Sequence, residues 1–217
     1  MLALTLVVVL ALLSLSSSRV RDSELSPIPL KISDSLSRLW EIAHQGMREN
    51  KLLRAEKALL TILKMDEKNA AAYNRLGILY AKQKEYKDAI DCFEIASSIE
   101  PTASSLHNLG LIYLETENYP KAAVAFEQAL KLEDGLAARH IAYAKVNEKL
   151  GNDKIVIDEL EKAAELEPNK ESLMLLYKAY EARGMNEQAV IIERKLQTLI
   201  VPSGQPKRIM RPKRVVV

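Results

Sequence analysis

The 217-residue sequence is poor in residues that interrupt helices and in residues that form disulfides or bind metals. It has seven glycines, eight prolines, one cysteine and three histidines. Scarce glycine and proline beside abundant alanine, leucine, glutamate and lysine predict an all-helical protein. The single cysteine, Cys92, excludes an intrachain disulfide and a metal site built from cysteines. We expect Cys92 to be a small buried residue on a helix rather than a reactive thiol.

Patterns typical of catalysis are also missing. No His-x-x-x-His or Cys-x-x-Cys spacing occurs, and the glycines stand singly, which excludes a glycine-rich phosphate loop. Nothing resembles the nucleophile elbow of hydrolases. The three histidines, His44, His107 and His140, are scattered along the chain. We therefore predict a protein that is not an enzyme and that uses no metal or cofactor.

A long apolar run occurs only at the amino terminus. Residues 2–13 read LALTLVVVLALL, and serines extend the uncharged stretch to Arg19 and Arg21. We expect residues 1–18 to be an uncleaved membrane anchor, because the positive flank follows at once and would hold the repeat domain on the cytoplasmic side. The alternative is a signal segment with export after cleavage, although the run lacks a basic start.

Positive charge is concentrated at the other end of the chain. Residues 201–217 contain five cations and no acid. The cations are Lys207, Arg208, Arg211, Lys213 and Arg214. We predict a disordered basic tail at 204–217 that contacts an anionic lipid surface. A solubilising role and nucleic-acid binding are alternatives, the latter weakened because no aromatic residue stands among the charges.

One pattern repeats in the middle of the chain. Leu-Gly-x-x-Tyr and then Ala-x-x-x-Phe occur first at residues 76–93 and again at residues 109–126, 33 residues later. A fixed period of this length is typical of stacked helical hairpins. Extending the phase outward gives five units, namely 36–69, 70–102, 103–136, 137–169 and 170–203.

On these motifs the chain resembles the tetratricopeptide repeat family over about residues 36–203. The resemblance implies an all-α fold, a right-handed superhelical solenoid of about five helix–turn–helix repeats. The repeat domain would span 34–203, preceded by one N-terminal hydrophobic helix and a linker at 19–33. It also implies that the first helix of each repeat lines a concave groove that receives a peptide or a helix from a partner protein.

Small and aromatic residues recur where neighbouring helices must approach closely. A glycine inside a helix costs about 1 kcal/mol relative to alanine, so a close helix contact is expected at each one. The predicted packing residues are Gly77, Tyr80, Ala89, Gly110, Tyr113 and Ala122. Gly151 and Gly184 fall where a first helix should end in a left-handed cap. Asn147 and Glu193 break the pattern, which predicts looser packing near the former and an open face near the latter.

Helical spacing selects the side chains that face the groove. The predicted groove residues are Trp40, His44, Asn74, Ile78, His107, Leu111, Lys145 and Lys178. Their mixed chemistry favours an amphipathic ligand over a purely acidic one. Recognition of a chaperone C-terminal carboxylate is disfavoured, because Ala138 and Ala142 stand where Lys and Arg would be required. Trp40 is the best candidate for an anchoring contact, with a core role as its alternative.

These observations predict a membrane-anchored adaptor that binds a protein or peptide partner in its groove. One alternative is a self-assembling structural protein, a homo-oligomer formed through an exposed C-terminal repeat. Val190, Ile191 and Leu199 make the last helix unusually apolar for a terminal one. A second alternative is a nucleic-acid-associated factor that uses the basic tail.

Overall fold

The computed structural model of the protein describes residues 28–200, which form ten α-helices joined by short connections. In chain order they are α1 (Ile28–Arg48), α2 (Leu52–Met65), α3 (Ala70–Gln83), α4 (Tyr86–Ile99), α5 (Ala103–Glu115), α6 (Tyr119–Leu132), α7 (Ala137–Leu150), α8 (Asp153–Leu166), α9 (Lys170–Ala182) and α10 (Asn186–Ile200). No strand occurs between residues 28 and 200. The predicted all-α fold is confirmed for this part of the chain.

The predicted localisation as a single-pass membrane protein with a cytoplasmic repeat domain is corrected by the structure. None of the helices α1–α10 is long and apolar enough to cross a bilayer. The longest, α1, has 21 residues, but it carries Lys31, Asp34, Arg38 and Glu41 along its length. The apolar run at 1–18, on which the anchor and the N-terminal hydrophobic helix were predicted, lies outside the described residues.

The chain divides into two compact units with the boundary after Ala72. The first unit contains α1, α2 and the start of α3, and the second contains the remainder of α3 and α4–α10. In the first unit α1 packs against α2, where the backbone of Ala55 lies close to Gly46. Ala43, Leu59 and Ile62 are buried in this contact.

Helix α1 begins earlier than the sequence predicted. Residues 28–33 are helical, although they were assigned to the linker at 19–33. Pro29 stands in the first turn of α1, where a backbone N–H has no helical partner and its absence costs little. The proline therefore fits the start of the helix instead of preventing it.

In the second unit, aromatic rings cover the two helical glycines. A Cβ atom built on Gly77 would lie 2.7 Å from the Phe93 ring, and one built on Gly110 would lie 2.8 Å from the Phe126 ring. Both phenylalanines are fully buried, together with Ala89 and Ala122 on the same helices. Glycine thus lets the two helices of a hairpin approach closely enough for the ring to fill the space between them.

Tyrosines connect consecutive hairpins in the second unit. The Tyr113 hydroxyl on α5 donates a hydrogen bond to the Glu94 carboxylate on α4, and the Tyr180 hydroxyl on α9 donates to Glu161 on α8. Burial and the hydrogen bond to Glu94 raise the pKa of Tyr113 above its ordinary value. The same tyrosine position therefore links the first helix of one repeat to the second helix of the previous repeat.

Each first helix is followed by a residue with positive φ. The five residues are Asn50 (57°), Lys84 (64°), Glu117 (59°), Gly151 (75°) and Gly184 (68°). The sequence predicted a left-handed cap only at the two glycines. Asparagine enters this region readily, whereas Lys84 and Glu117 pay roughly 1–2 kcal/mol there, so the hairpin geometry outweighs the local preference of these two.

The two breaks in the repeat pattern have different outcomes. Asn147 is buried, and its amide group donates to the Tyr143 carbonyl oxygen and accepts from the Asn152 amide, both at 2.9 Å. Hydrogen bonds therefore close the end of α7, and the expected looseness is absent. The second, third and fifth repeats carry a tyrosine at this position, namely Tyr80, Tyr113 and Tyr180. Glu193 lies on an exposed part of α10, while Ile192 and Leu196 on the same helix are buried.

The contact between Gly77 and Phe93 gives a stability prediction. We expect Gly77→Ala to lower the free energy of unfolding by about 1–3 kcal/mol, because overpacking at the ring exceeds the gain in helix propensity. Urea denaturation followed by circular dichroism measures the change. Gly135→Ala is the matched control, since a Cβ there meets no atom within 4 Å; it should stay within about 0.5 kcal/mol of wild type. Equal stability of the two variants would contradict the packing role of Gly77.

Candidate functional site

An amide pair lies on the surface formed by the exposed faces of α3, α5, α7 and α9, which we call the first-helix surface. The Asn108 side-chain amide donates to the Asn74 side-chain oxygen at 3.3 Å. The two residues lie on the first helices of consecutive repeats. Their remaining side-chain groups, the Asn74 amino group and the Asn108 oxygen, bond no other residue in 28–200. The pair therefore offers one donor group and one acceptor to a ligand.

Apolar side chains lie beside the amide pair. Ile78 follows Asn74 by one turn of α3 and is half-buried, and Leu111 on α5 is 39% exposed. The His107 ring is half-buried against the Phe126 ring, with centroids 5.4 Å apart. Burial lowers the pKa of His107 and the positive charge of Arg139 lowers it further, so the imidazole is neutral at pH 7. This part of the first-helix surface carries no charge from these three side chains.

Two of the predicted groove residues line one small pocket further along the first-helix surface. Lys145 on α7 and Lys178 on α9 border a pocket of about 130 Å³. Its apolar lining includes the buried Ala144 and Ala179 and the half-buried Leu175. We call it the lysine pocket. Both lysines are exposed, and neither forms a salt bridge with any residue in 28–200.

The remaining predicted site residues lie elsewhere. Trp40 and His44 are one turn apart on α1, with ring centroids 5.6 Å apart, and both are half-buried. They belong to the first unit, whereas the amide pair and the lysine pocket belong to the second. The five cations predicted to contact an anionic surface lie outside the described residues.

A buried polar cluster was missed at the level of sequence. His140, at 3% exposure, lies 2.6 Å through Nδ1 from a carboxylate oxygen of Glu159 and 2.7 Å through Nε2 from the carbonyl oxygen of Asp134. The other Glu159 oxygen accepts from Lys162 at 3.0 Å. Both ring nitrogens face acceptors. Nε2 must carry a proton to donate to the Asp134 carbonyl oxygen, and a second proton must lie between Nδ1 and the Glu159 carboxylate for that bond to form.

The repeat register shows how unusual this cluster is. The positions of His140 and Glu159 hold less polar pairs in all the other repeats. These pairs are Leu39 with Ala58, Tyr73 with Cys92, Leu106 with Ala125, and Leu173 with Ile192. The replacement of less polar residues by His140 and Glu159 at equivalent positions of the repeats is the sequence signal that indicates this cluster.

The cluster holds the connection between α6 and α7. Beside His140, which bonds the Asp134 carbonyl, Arg139 donates to the Glu133 carbonyl oxygen at 2.6 Å and to its carboxylate at 3.1 Å. His140 and Glu159 also border a groove of about 540 Å³. All the polar atoms of the His140–Glu159 pair have partners inside the protein, so the arrangement favours a structural role over ligand binding.

The pair gives a second stability prediction. Glu159→Ala should lower the free energy of unfolding by about 1–3 kcal/mol, because it leaves the buried Nδ1 atom of His140 without its hydrogen-bond partner. His140→Leu combined with Glu159→Ala recreates the Leu106–Ala125 pair and should recover most of that loss. Chemical denaturation of the two variants measures the difference. A double variant as unstable as Glu159→Ala would show that the cluster is required for more than satisfying buried polar atoms.

Cys92 lies on α4 with its side chain buried. Burial raises the pKa of the thiol to about 11, and the charges of Asp88 and Asp91 act in the same direction. Since a nucleophilic cysteine reacts as the thiolate, this environment makes Cys92 unreactive near neutral pH. No group of three His, Cys, Asp or Glu side chains suited to a metal ion occurs among residues 28–200.

The raised thiol pKa gives a prediction about reactivity and pH. Folded protein at pH 8 should react with iodoacetamide at least about 100-fold more slowly than a free thiol, whose pKa is about 8.5. Ser98→Cys in a Cys92→Ala background is the control, because Ser98 is exposed on the same helix. The folded state holds the proton more tightly, so stability should fall as pH rises from about 8.5 towards 11. Equal rates at the two positions would contradict the burial argument.

Comparison with known proteins agrees with this architecture. The tetratricopeptide repeat family model matches residues 68–134, the part of the chain where the repeat pattern is strongest. Tetratricopeptide repeats are generally interaction modules without catalytic chemistry. No curated protein sequence matches the chain.

Solved structures show the same fold at low sequence identity. A crystal structure of MamA protein is 20% identical with a TM-score of 0.68, covering 76% of this chain and 92% of that one. A MamA structure from Desulfovibrio magneticus RS-1 is 16% identical with a TM-score of 0.68, covering 76% and 95%. YrrB, described as a tetratricopeptide repeat protein with an unusual peptide-binding site, is 18% identical with a TM-score of 0.64, covering 85% and 91%. The chain therefore has a tetratricopeptide-type helical-repeat fold.

Proposed function

We propose that the protein is an interaction scaffold that binds a peptide or helix of a partner protein on its first-helix surface. The observation that carries this proposal is the amide pair of Asn74 and Asn108, which has spare hydrogen-bonding groups beside the exposed Leu111. An interaction surface commonly combines polar groups that fix orientation with apolar side chains that supply contact area.

The amide pair can bond the main chain of a ligand that crosses the helices. Because the two amides are in direct contact, the spare donor of Asn74 and the spare acceptor of Asn108 lie close enough to bond the same or neighbouring residues of an extended peptide. A ligand that accepts from Asn74 and donates to Asn108 would use its backbone groups and leave its side chains free for Leu111 and Ile78. The peptide-binding site described for YrrB supports the same kind of ligand for this fold.

Self-assembly through the last helix has weaker support. Val190, Ile191 and Leu199 are exposed on α10, but Glu193 and Gln197 are exposed on that helix as well. The buried Ile192 and Leu196 contribute to the core of the second unit. Polar side chains therefore interrupt the apolar face that an interface between copies would require.

Peptide selection tests the proposal. We expect the full-length protein to enrich binders from a random 12-residue display library. Leu111→Arg should lower the affinity for the selected peptides at least tenfold, as measured by fluorescence anisotropy. The reason is that a charged side chain replaces an apolar contact at the centre of the surface. Val124→Arg is the control, since Val124 is 54% exposed on the second helix α6 and should leave binding unchanged. Equal losses in both variants, or the absence of any binder, would contradict the proposal.

A further inference from the structure

We infer that the lysine pocket selects peptides in which an aliphatic side chain stands next to an acidic residue. This inference rests on the proposed function and adds the chemistry of the ligand to it. The aliphatic group would enter the pocket between α7 and α9, and the neighbouring carboxylate would lie between Lys145 and Lys178. The partner is thus an acidic, aliphatic segment of another protein.

The size and lining of the pocket favour an aliphatic group. Its volume of about 130 Å³ is roughly four times the ~30 Å³ that a water molecule occupies in the liquid. A side chain of about four carbon atoms, such as leucine or isoleucine, has this size. Ala144, Val156, Leu160 and Ala179 are buried lining residues, and Leu175 completes the apolar wall. Burying such a side chain contributes favourable free energy from the apolar area removed from water.

The charges at the pocket favour an acidic neighbour. Lys145 and Lys178 lie 33 residues apart at the same position of consecutive first helices. Glu148 is the acid that lines the pocket with them, which leaves an excess of one positive charge. Neither lysine is engaged in a salt bridge within residues 28–200, so a ligand carboxylate displaces no protein partner. Two ammonium groups at adjacent helices attract one carboxylate more strongly than either would alone.

The pocket differs from the area around the amide pair in this respect. Asn74, Ile78, His107 and Leu111 present amides, apolar groups and a neutral imidazole. The preference for acidic peptides should therefore depend on the two lysines, whereas the binding of peptides in general should depend on Leu111 and the amide pair. This separation lets one experiment distinguish the two proposals.

Selection from the same random 12-residue library provides the test. Wild-type protein should enrich peptides with Leu, Ile or Val within two residues of Asp or Glu. Lys145→Glu combined with Lys178→Glu should lower the affinity for those peptides at least tenfold, and the remaining affinity should depend less on salt concentration. The control is Lys87→Glu combined with Lys154→Glu, which makes the same charge change at exposed positions near the starts of α4 and α8. Binding to the control variant should stay within twofold of wild type.

The outcomes separate the two proposals. The assignment of the lysine pocket is overturned if the enriched peptides lack acidic residues, or if both charge variants weaken the binding of acidic peptides equally. Either result leaves the proposed peptide binding intact. Peptides that bind only through a terminal carboxylate, shown by loss of binding on C-terminal amidation, also overturn the assignment of the lysine pocket. A library that yields no binder overturns the proposed function together with this inference. Circular dichroism of both charge variants verifies that a loss of affinity does not come from unfolding.

Discussion

The contact of an aromatic ring with a glycine inside a helix is the constraint on which the second and third repeats depend. Phe93 lies over Gly77 and Phe126 over Gly110, close enough that a single methyl group would collide with either ring. These contacts set the distance between the two helices of a hairpin. A hydrogen bond from Tyr113 to Glu94 joins these two hairpins, and an equivalent one from Tyr180 to Glu161 joins the last two.

Polar side chains have replaced less polar contacts mainly in the fourth repeat. Asn147 closes the end of α7 by hydrogen bonds, and the pair of His140 with Glu159 stands where Leu106 and Ala125 stand one repeat earlier. Each of these groups is satisfied inside the protein, which is the condition for burying polar atoms at acceptable cost. The fold therefore tolerates a local exchange of packing for hydrogen bonding without losing its period.

The same period also organises the surface. Residues one repeat apart fall side by side on neighbouring first helices, so Asn74 meets Asn108 and Lys145 shares a pocket with Lys178. The exposed residues of such a surface can change while the buried contacts stay fixed. This independence explains why the repeat pattern indicates the fold and says little about a ligand.

The sequence by itself determined the helical class, the period, and the left-handed caps at Gly151 and Gly184, because these follow from contacts within one repeat and from local backbone preference. Only the tertiary structure decided that Lys84 and Glu117 take the same conformation, since the hairpin imposes it against their intrinsic preference. It also decided that His107 packs on Phe126, that His140 meets Glu159, and that Asn74 bonds Asn108. These pairings join different helices, so they depend on how the helices approach each other, which spacing along a single chain does not specify.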